Sequence, residues 1–322
     1  MCTTIGFPHE EGIVFGRTLE MGVKLENQVL FVPRNSKAFV SAAEQDYDSI
    51  YATIGTGFMN MAAFGDGINE MGLMGSSNLL PGYASYSKKP VDGKINLTVA
   101  NAFNYLLSRC RNVEEVRKEA GKLSVLERGR TDDDVSGDMH FFFMDADGNG
   151  LVLEPEDGRL LAYDNPYGVL TNAPGFPWHA TNLKNYLNLR AENVGQNDWN
   201  GTLLSKFGEG SGLVGLPGDF TPPSRFVRAA FFVSATPKDL DRRAAILQAF
   251  RILSQSDIPT GAVIDPDNGY TDETLYTAVM DSAKKAYFVK GHDNINIQPF
   301  YLDDFKEERD IRIIVPEKEM NL

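Results

Sequence analysis

Residues 1–20 read Met1-Cys2-Thr3-Thr4-Ile5-Gly6-Phe7-Pro8-His9-Glu10-Glu11-Gly12-Ile13-Val14-Phe15-Gly16-Arg17-Thr18-Leu19-Glu20. The cysteine in second place is the most informative residue of the chain. A small second residue permits removal of Met1, and the chain then starts with a cysteine that carries both a thiol and a free α-amine. An α-amine titrates at about 7.7–8.0 and a thiol at about 8.5, so the two are matched for proton exchange near neutral pH. One residue can thus supply nucleophile and base, as an N-terminal threonine does. Position alone does not separate a catalytic cysteine from an ordinary terminal one. The decision rests on the residues that accompany it.

Outward from this stretch, residues 12–20 and 28–32 read as extended runs, the second stopped by Pro33. Residues 37–43, 50–54 and 61–65 are further short apolar candidates. Val99, Phe103, Leu106 and Leu107 stand at helical spacing within 98–107. A helix over 112–123 has Asn112 as its cap and Glu114 and Glu115 in its first turn. Residues 139–144 and 150–154 read as a strand pair around a Gly-Asn turn. Helical readings over 225–233 and 237–254 follow, the latter with Ala245, Leu247, Ala249, Phe250 and Leu253 as its apolar stripe. Residues 275–289 and 311–315 return to strand. No repeat, low-complexity tract or linker divides the chain, so one α+β domain over 1–322 is the simplest account. The polar segment 191–212 is too long for an ordinary connection.

Composition narrows the function. Hydrophobic residues make up 42% of the chain, enough for a folded core, which excludes global disorder. Net charge is 31 minus 44, or −13, which argues against nucleic acid and against an anionic membrane surface. No apolar run reaches the roughly 18 residues of a membrane span. The first residues lack a basic start and an apolar stretch, so no secretory leader is expected. Cys2 and Cys110 could form at most one bridge, and a cytoplasmic location is expected. Cys110, beside Leu106 and Leu107, reads as an inert core thiol.

Cys2 keeps specific company. Phe15-Gly16-Arg17-Thr18-Leu19-Glu20 follows it, and Asn69-Glu70-Met71-Gly72-Leu73 precedes Asn78-Leu79-Leu80-Pro81-Gly82-Tyr83. Then come Gly168-Val169-Leu170-Thr171-Asn172-Ala173-Pro174-Gly175-Phe176-Pro177-Trp178-His179-Ala180-Thr181-Asn182-Leu183 and Gly215-Leu216-Pro217-Gly218-Asp219-Phe220-Thr221-Pro222-Pro223-Ser224-Arg225-Phe226-Val227-Arg228. In this order the blocks resemble the choloylglycine hydrolase family of N-terminal nucleophile hydrolases, which includes penicillin V acylases and conjugated bile acid hydrolases. The resemblance runs from Cys2 to at least Tyr287. It implies a four-layer αββα sandwich with two stacked antiparallel sheets, commonly assembled as a homotetramer, with no cofactor and no metal.

The resemblance also assigns roles. Cys2 is the nucleophile it implies, and Arg17 the fixed charge near the sulfur that favours a thiolate. Three residues after that Arg, relatives carry an Asp that contacts the terminal amine. Here Glu20 stands in its place, with one more methylene. Asn172 is to point its amide at the developing oxyanion, where one donor is worth about 10²–10³ in rate. The second oxyanion donor is a backbone N–H two residues before the Pro-Gly pair, here that of Leu79. Bile acid hydrolases usually have Asn there and penicillin V acylases often Tyr, so Leu79 matches neither, although a backbone donor survives the change. Arg225 is the second guanidinium of the site. Met21, Phe58, Met59, Met61 and Leu79 are read as loop residues that line an acyl pocket, or that merely cover the core.

Other motifs carry less. Asp145, Asp147, Asn149, Gly150 and Glu156 fit the calcium-loop pattern of an EF-hand, yet the flanks suit strands and Pro155 stands where a helix would leave. A hairpin turn is the better reading. The four histidines lack metal-site spacing. Asn96 and Asn200 head glycosylation patterns that count for little without a secretory leader. The whole predicts a cysteine amidohydrolase acting on a linear amide with a bulky apolar acyl group, its partner a small-molecule substrate. Residues 174–183 and 218–223 look closer to the acylase branch, so penicillin V is preferred over glycine or taurine conjugates of bile acids. A conjugated bile acid hydrolase is the alternative. From another class, a non-catalytic ligand-binding protein of this fold is motivated by Glu20, Leu79 and the Met1 that precedes Cys2. Relatives use an extension near 191–212 to embrace a neighbouring subunit, so that segment is expected to hold a homotetramer together, with Trp199 as an anchor.

Overall fold

A computed structural model describes residues 1–25, 27–38, 44–58, 63–127, 137–267 and 269–320. The chain opens with a hairpin of β1 (Cys2–His9) and β2 (Gly12–Met21). It then forms β3 (Asn27–Val32), β4 (Thr53–Phe58), β5 (Phe64–Asn69), β6 (Met74–Leu79) and β7 (Ile95–Thr98). After α1 (Val99–Arg109) and α2 (Val113–Ala120) come β8 (Leu123–Leu126), β9 (Met139–Met144), β10 (Gly150–Glu156), β11 (Arg159–Asp164) and β12 (Val169–Leu170). A short α3 (Phe176–Asn182) precedes the hairpin β13 (Asn197–Trp199) and β14 (Thr202–Leu204). The rest is α4 (Pro222–Ala235), α5 (Arg242–Leu253), β15 (Glu273–Asp281), β16 (Ala286–Gly291), β17 (Gln298–Tyr301) and β18 (Arg312–Ile314).

Two antiparallel sheets stack. One has the order β12-β1-β2-β15-β16-β17, the other β11-β10-β9-β6-β5-β4-β3-β18. Their packing follows from strand alternation. In β9, Phe142 and Met144 join the core shared with the first sheet, α4 and α5, while Phe141 and Phe143 join the core under α1 and α2. Helices thus cover both outer faces, and the four-layer αββα sandwich is the observed architecture.

Local chemistry explains the boundaries. Asn112 Oδ1 accepts from the Glu115 N–H at 3.0 Å and starts α2, while Asp241 does the same for α5 through Ala244. The 275–289 reading divides into β15 and β16 around a turn in which Lys285 has φ +46°. The 50–54 and 61–65 readings are displaced toward β4 and β5, and residues 61 and 62 lie outside the described residues. So do residues 39–43 of the 37–43 reading, while Lys37 bridges Asp48. Strand β1 was not legible because it is buried on both faces, which erases the alternation. The hairpin β13–β14 turns at Asn200 (φ +55°) and Gly201 (φ +83°), the Asn-Gly pair that two-residue hairpins favour.

Candidate active site

Cys2 heads β1, opposite Leu19 of β2, and is 1% exposed. From the same strand as Leu19, Arg17 donates through Nη2 to Cys2 Sγ at 2.9 Å. Three more of its N–H groups are spent on carbonyls: Nε on Thr18 at 3.2 Å, Nη1 on Gly65 at 3.1 Å and on Ser77 at 2.9 Å. The guanidinium is therefore fixed in both position and plane. Burial pulls its pKa down, but Tyr276, Cys2, Asp66 and Glu20 outweigh that and hold it above its ordinary value. It is a permanent cation against the sulfur.

Asn172 is delivered by β12, which pairs with β1 at the sheet edge. Its Oδ1 accepts from the Cys2 N–H at 2.9 Å and from Arg225 Nη2 at 2.7 Å, and these two donors fix which way the amide points. Nδ2 donates to the Leu79 carbonyl at 2.8 Å. The Leu80 N–H is spent on the Asp138 carbonyl across the β9 edge. In an antiparallel ladder the N–H and C=O of the preceding residue then face the opposite edge, so the Leu79 N–H lies on the Asn172 side. Arg225, on the buried face of α4, also donates to the Cys2 carbonyl and, at 2.6 Å, to Thr3 Oγ1. Burial lowers its pKa, with Glu20 and Cys2 opposing.

Glu20 is fully buried, and neither carboxylate oxygen has a hydrogen-bond partner among the described residues. Burial raises its pKa, and the terminal amine and Arg225 oppose that rise. Its backbone N–H donates to the Met1 carbonyl at 2.9 Å, while the Met1 amine donates to the Glu20 carbonyl. The bond between Met1 and Cys2 is thus held beside Glu20.

Cys2, Arg17, Asn172, Arg225 and Leu79 therefore meet as expected, and Glu20 adjoins the chain terminus. The acyl-pocket reading is corrected in part. Met21 and Leu79 sit half-buried at the ends of β2 and β6 rather than on loops, because both strands extend further than their apolar runs. Phe58 ends β4; its side chain, Met59 and Met61 lie outside the described residues. The calcium-like loop joins two strands, β9 and β10. Its Asp145 carboxylate is occupied by the N–H groups of Val113, Asp147 and Asn149. Cys110 is buried beyond α1, and burial pushes its thiol well up. A cavity of about 930 Å³ lies elsewhere, lined by Phe7, Pro8, Asp145 and Tyr167, and does not include Cys2.

Sequence reasoning missed the supports of Asn172. His179 Nε2 donates to its carbonyl at 2.9 Å, and the ring stacks on Phe226 with centroids 4.7 Å apart. Burial lowers the His179 pKa to about 4, so the ring is neutral at pH 7. His140 bridges Glu154 at 3.0 Å and the Thr171 carbonyl at 3.1 Å. Thr3 and the buried Asp66, Tyr276 and Tyr287 were missed as well. The proximity of His179 to Asn172 in sequence was the one available signal.

An αββα sandwich with a cysteine at the head of an inner strand is the arrangement of the N-terminal nucleophile hydrolases. Residues 2–310 match the model of linear amide C–N hydrolases, choloylglycine hydrolase family. The chain belongs to that family and is a hydrolase of linear amide C–N bonds. It is 33% identical to the bile salt hydrolase/transferase of Clostridium perfringens over 96% of this chain and 94% of that one. A solved variant of conjugated bile acid hydrolase from the same organism superposes with a TM-score of 0.91, at 29% identity, over 100% of this chain and 99% of that one. The penicillin V acylase of Pectobacterium atrosepticum is 25% identical over 90% of this chain and 76% of that one. Among the described residues no helix is long and apolar enough to cross a membrane.

Proposed function

We propose that the chain, once Met1 is removed, hydrolyses glycine or taurine conjugates of bile acids. The preference for penicillin V expected from residues 174–183 is not kept. Over nearly the whole chain, identity is higher to the bile salt hydrolase (33%) than to the penicillin V acylase (25%). The observation that carries the catalytic reading is the convergence on Cys2 of Arg17, Asn172 and Arg225, delivered by separate elements to one buried residue.

In this reading Cys2 Sγ attacks the amide carbonyl and a C–S bond forms. The carbonyl oxygen takes the charge and is met by Asn172 Nδ2 and the Leu79 N–H. The Cys2 α-amine, freed by loss of Met1, carries the thiol proton to the leaving amine as the C–N bond breaks. Water, deprotonated by the same amine, then cleaves the thioester. Asn172 Oδ1, which already accepts from the Cys2 nitrogen, holds that amine in line. Glu20, buried and facing the terminus, supplies a countercharge to the ammonium form.

The reading extends to the whole chain as one domain: the first sheet is built from both ends of the sequence, β1 and β2 at one, β15 to β17 at the other. A free thiol nucleophile suits a reducing compartment, and we place the protein in the cytoplasm as a homotetramer. Turnover of glycocholate and penicillin V by one purified preparation tests the substrate. A higher kcat/KM for glycocholate is expected; a large preference for penicillin V restores the acylase reading.

A further inference from the structure

Asp66 belongs to β5 in the eight-stranded sheet, yet its carboxylate crosses the interface to Arg17 of the other sheet. Oδ2 lies 3.9 Å from Arg17 Nη1, and the side chain is fully buried. Two phenols from the opposite sheet close on it: Tyr276 Oη donates to Oδ2 at 2.5 Å and Tyr287 Oη to Oδ1 at 2.7 Å. Tyr287 is tied in turn to Thr56 Oγ1 of β4. Space was cleared for this strand, since a Cβ on Gly55 would lie 2.0 Å from the Asp66 carbonyl.

Burying a carboxylate so completely is costly, and it persists where its charge is matched. That charge is not needed to place Arg17, which three backbone carbonyls already hold. What remains is its effect on the guanidinium that touches Cys2 Sγ. The geometry points to Asp66 as a positioning residue that acts on Cys2 only through Arg17, drawing off part of the guanidinium charge so that the thiolate is not held too tightly to attack. A thiolate stabilised further becomes a poorer nucleophile, with a Brønsted slope of about 0.4–0.5. The other groups that face the pair are Glu20 on β2, Tyr276 on β15, Arg225 on α4 and the terminal amine. Burial raises the Asp66 pKa, while Arg17 and the phenols of Tyr276 and Tyr287 oppose that rise and favour the anion.

This rests on Cys2 as the nucleophile, and iodoacetamide reads that thiol without turnover. Rates of Cys2 alkylation, located by peptide mass in protein lacking Met1, are measured against pH for the parent chain and for Asp66→Asn. The profile of the variant is expected to move to lower pH by on the order of one unit. Its plateau rate falls by about threefold. With bile acid conjugates kcat falls and KM changes little. Asn offers one acceptor to two phenols, so Asp66→Asn with Tyr287→Phe serves where the single variant does not fold, and the same shift is expected. A profile that stays in place or moves to higher pH overturns the inference. A shifted profile in a protein that hydrolyses no amide contradicts the proposed function and leaves this inference standing.

Discussion

Asn172 is held from three sides: its amide oxygen by the Cys2 N–H and Arg225, its amide nitrogen by the Leu79 carbonyl, and its backbone by His179. In the proposed mechanism such a residue acts through preorganisation, because its donor needs no reorientation as charge develops. Asn172→Ala is therefore expected to lower kcat by about 10²–10³ with little change in KM and a retained fold. Steady-state kinetics with glycocholate beside far-ultraviolet circular dichroism check this, and an unchanged kcat removes Asn172 from the oxyanion site. At this scale the sequence was readable where a residue sits inside a long block, as Arg17, Asn172 and Arg225 do. Asp66 was not readable: it lies between Gly65 and Gly67, and its partners Tyr276 and Tyr287 are over 200 positions away. Burial by a distant strand leaves no local pattern.

Among the elements, helices were legible because their caps and stripes are local: α1, α2 and α4 fall close to their expected ranges, while α5 starts at Arg242, later than the 237 expected. Strands buried on both faces lack the period-2 signal, and β1 was lost for that reason, while β12, two residues long, is too short to show any period. The hairpin β13–β14 is the instructive case. Its Asn-Gly turn was noticed only as a glycosylation pattern, while the surrounding polar residues suggested a loop. All six strand residues are exposed, including Trp199 at 64% and Leu203 at 60%, and Phe207 nearby projects fully into solvent. Apolar side chains held on a regular, self-bonded hairpin fit an interface better than a mobile loop. Light scattering should give the mass of four chains, and Trp199→Glu should reduce it. One chain's mass, independent of concentration, contradicts the tetramer.

For the whole molecule, the sandwich explains why a reactive centre can be assembled so far from bulk water. Cys2 and Arg17 come from the inner hairpin of one sheet, Leu79 from the facing sheet, Asn172 from the loop after the edge strand, and Arg225 from the covering helix. Each layer except α1 and α2 contributes. The layer order itself came from the resemblance, since strand and helix runs alone do not specify how two sheets stack. The account stands or falls on the first peptide bond: with Met1 attached, the Cys2 nitrogen is an amide and cannot shuttle protons. The direct measurement is an intact-mass spectrum of active protein, acid-quenched during turnover of glycocholate. A chain that begins at Cys2, with a fraction carrying a cholyl group on Cys2, is the result expected. Full-length chain that retains Met1 and still turns over substrate would contradict the mechanism.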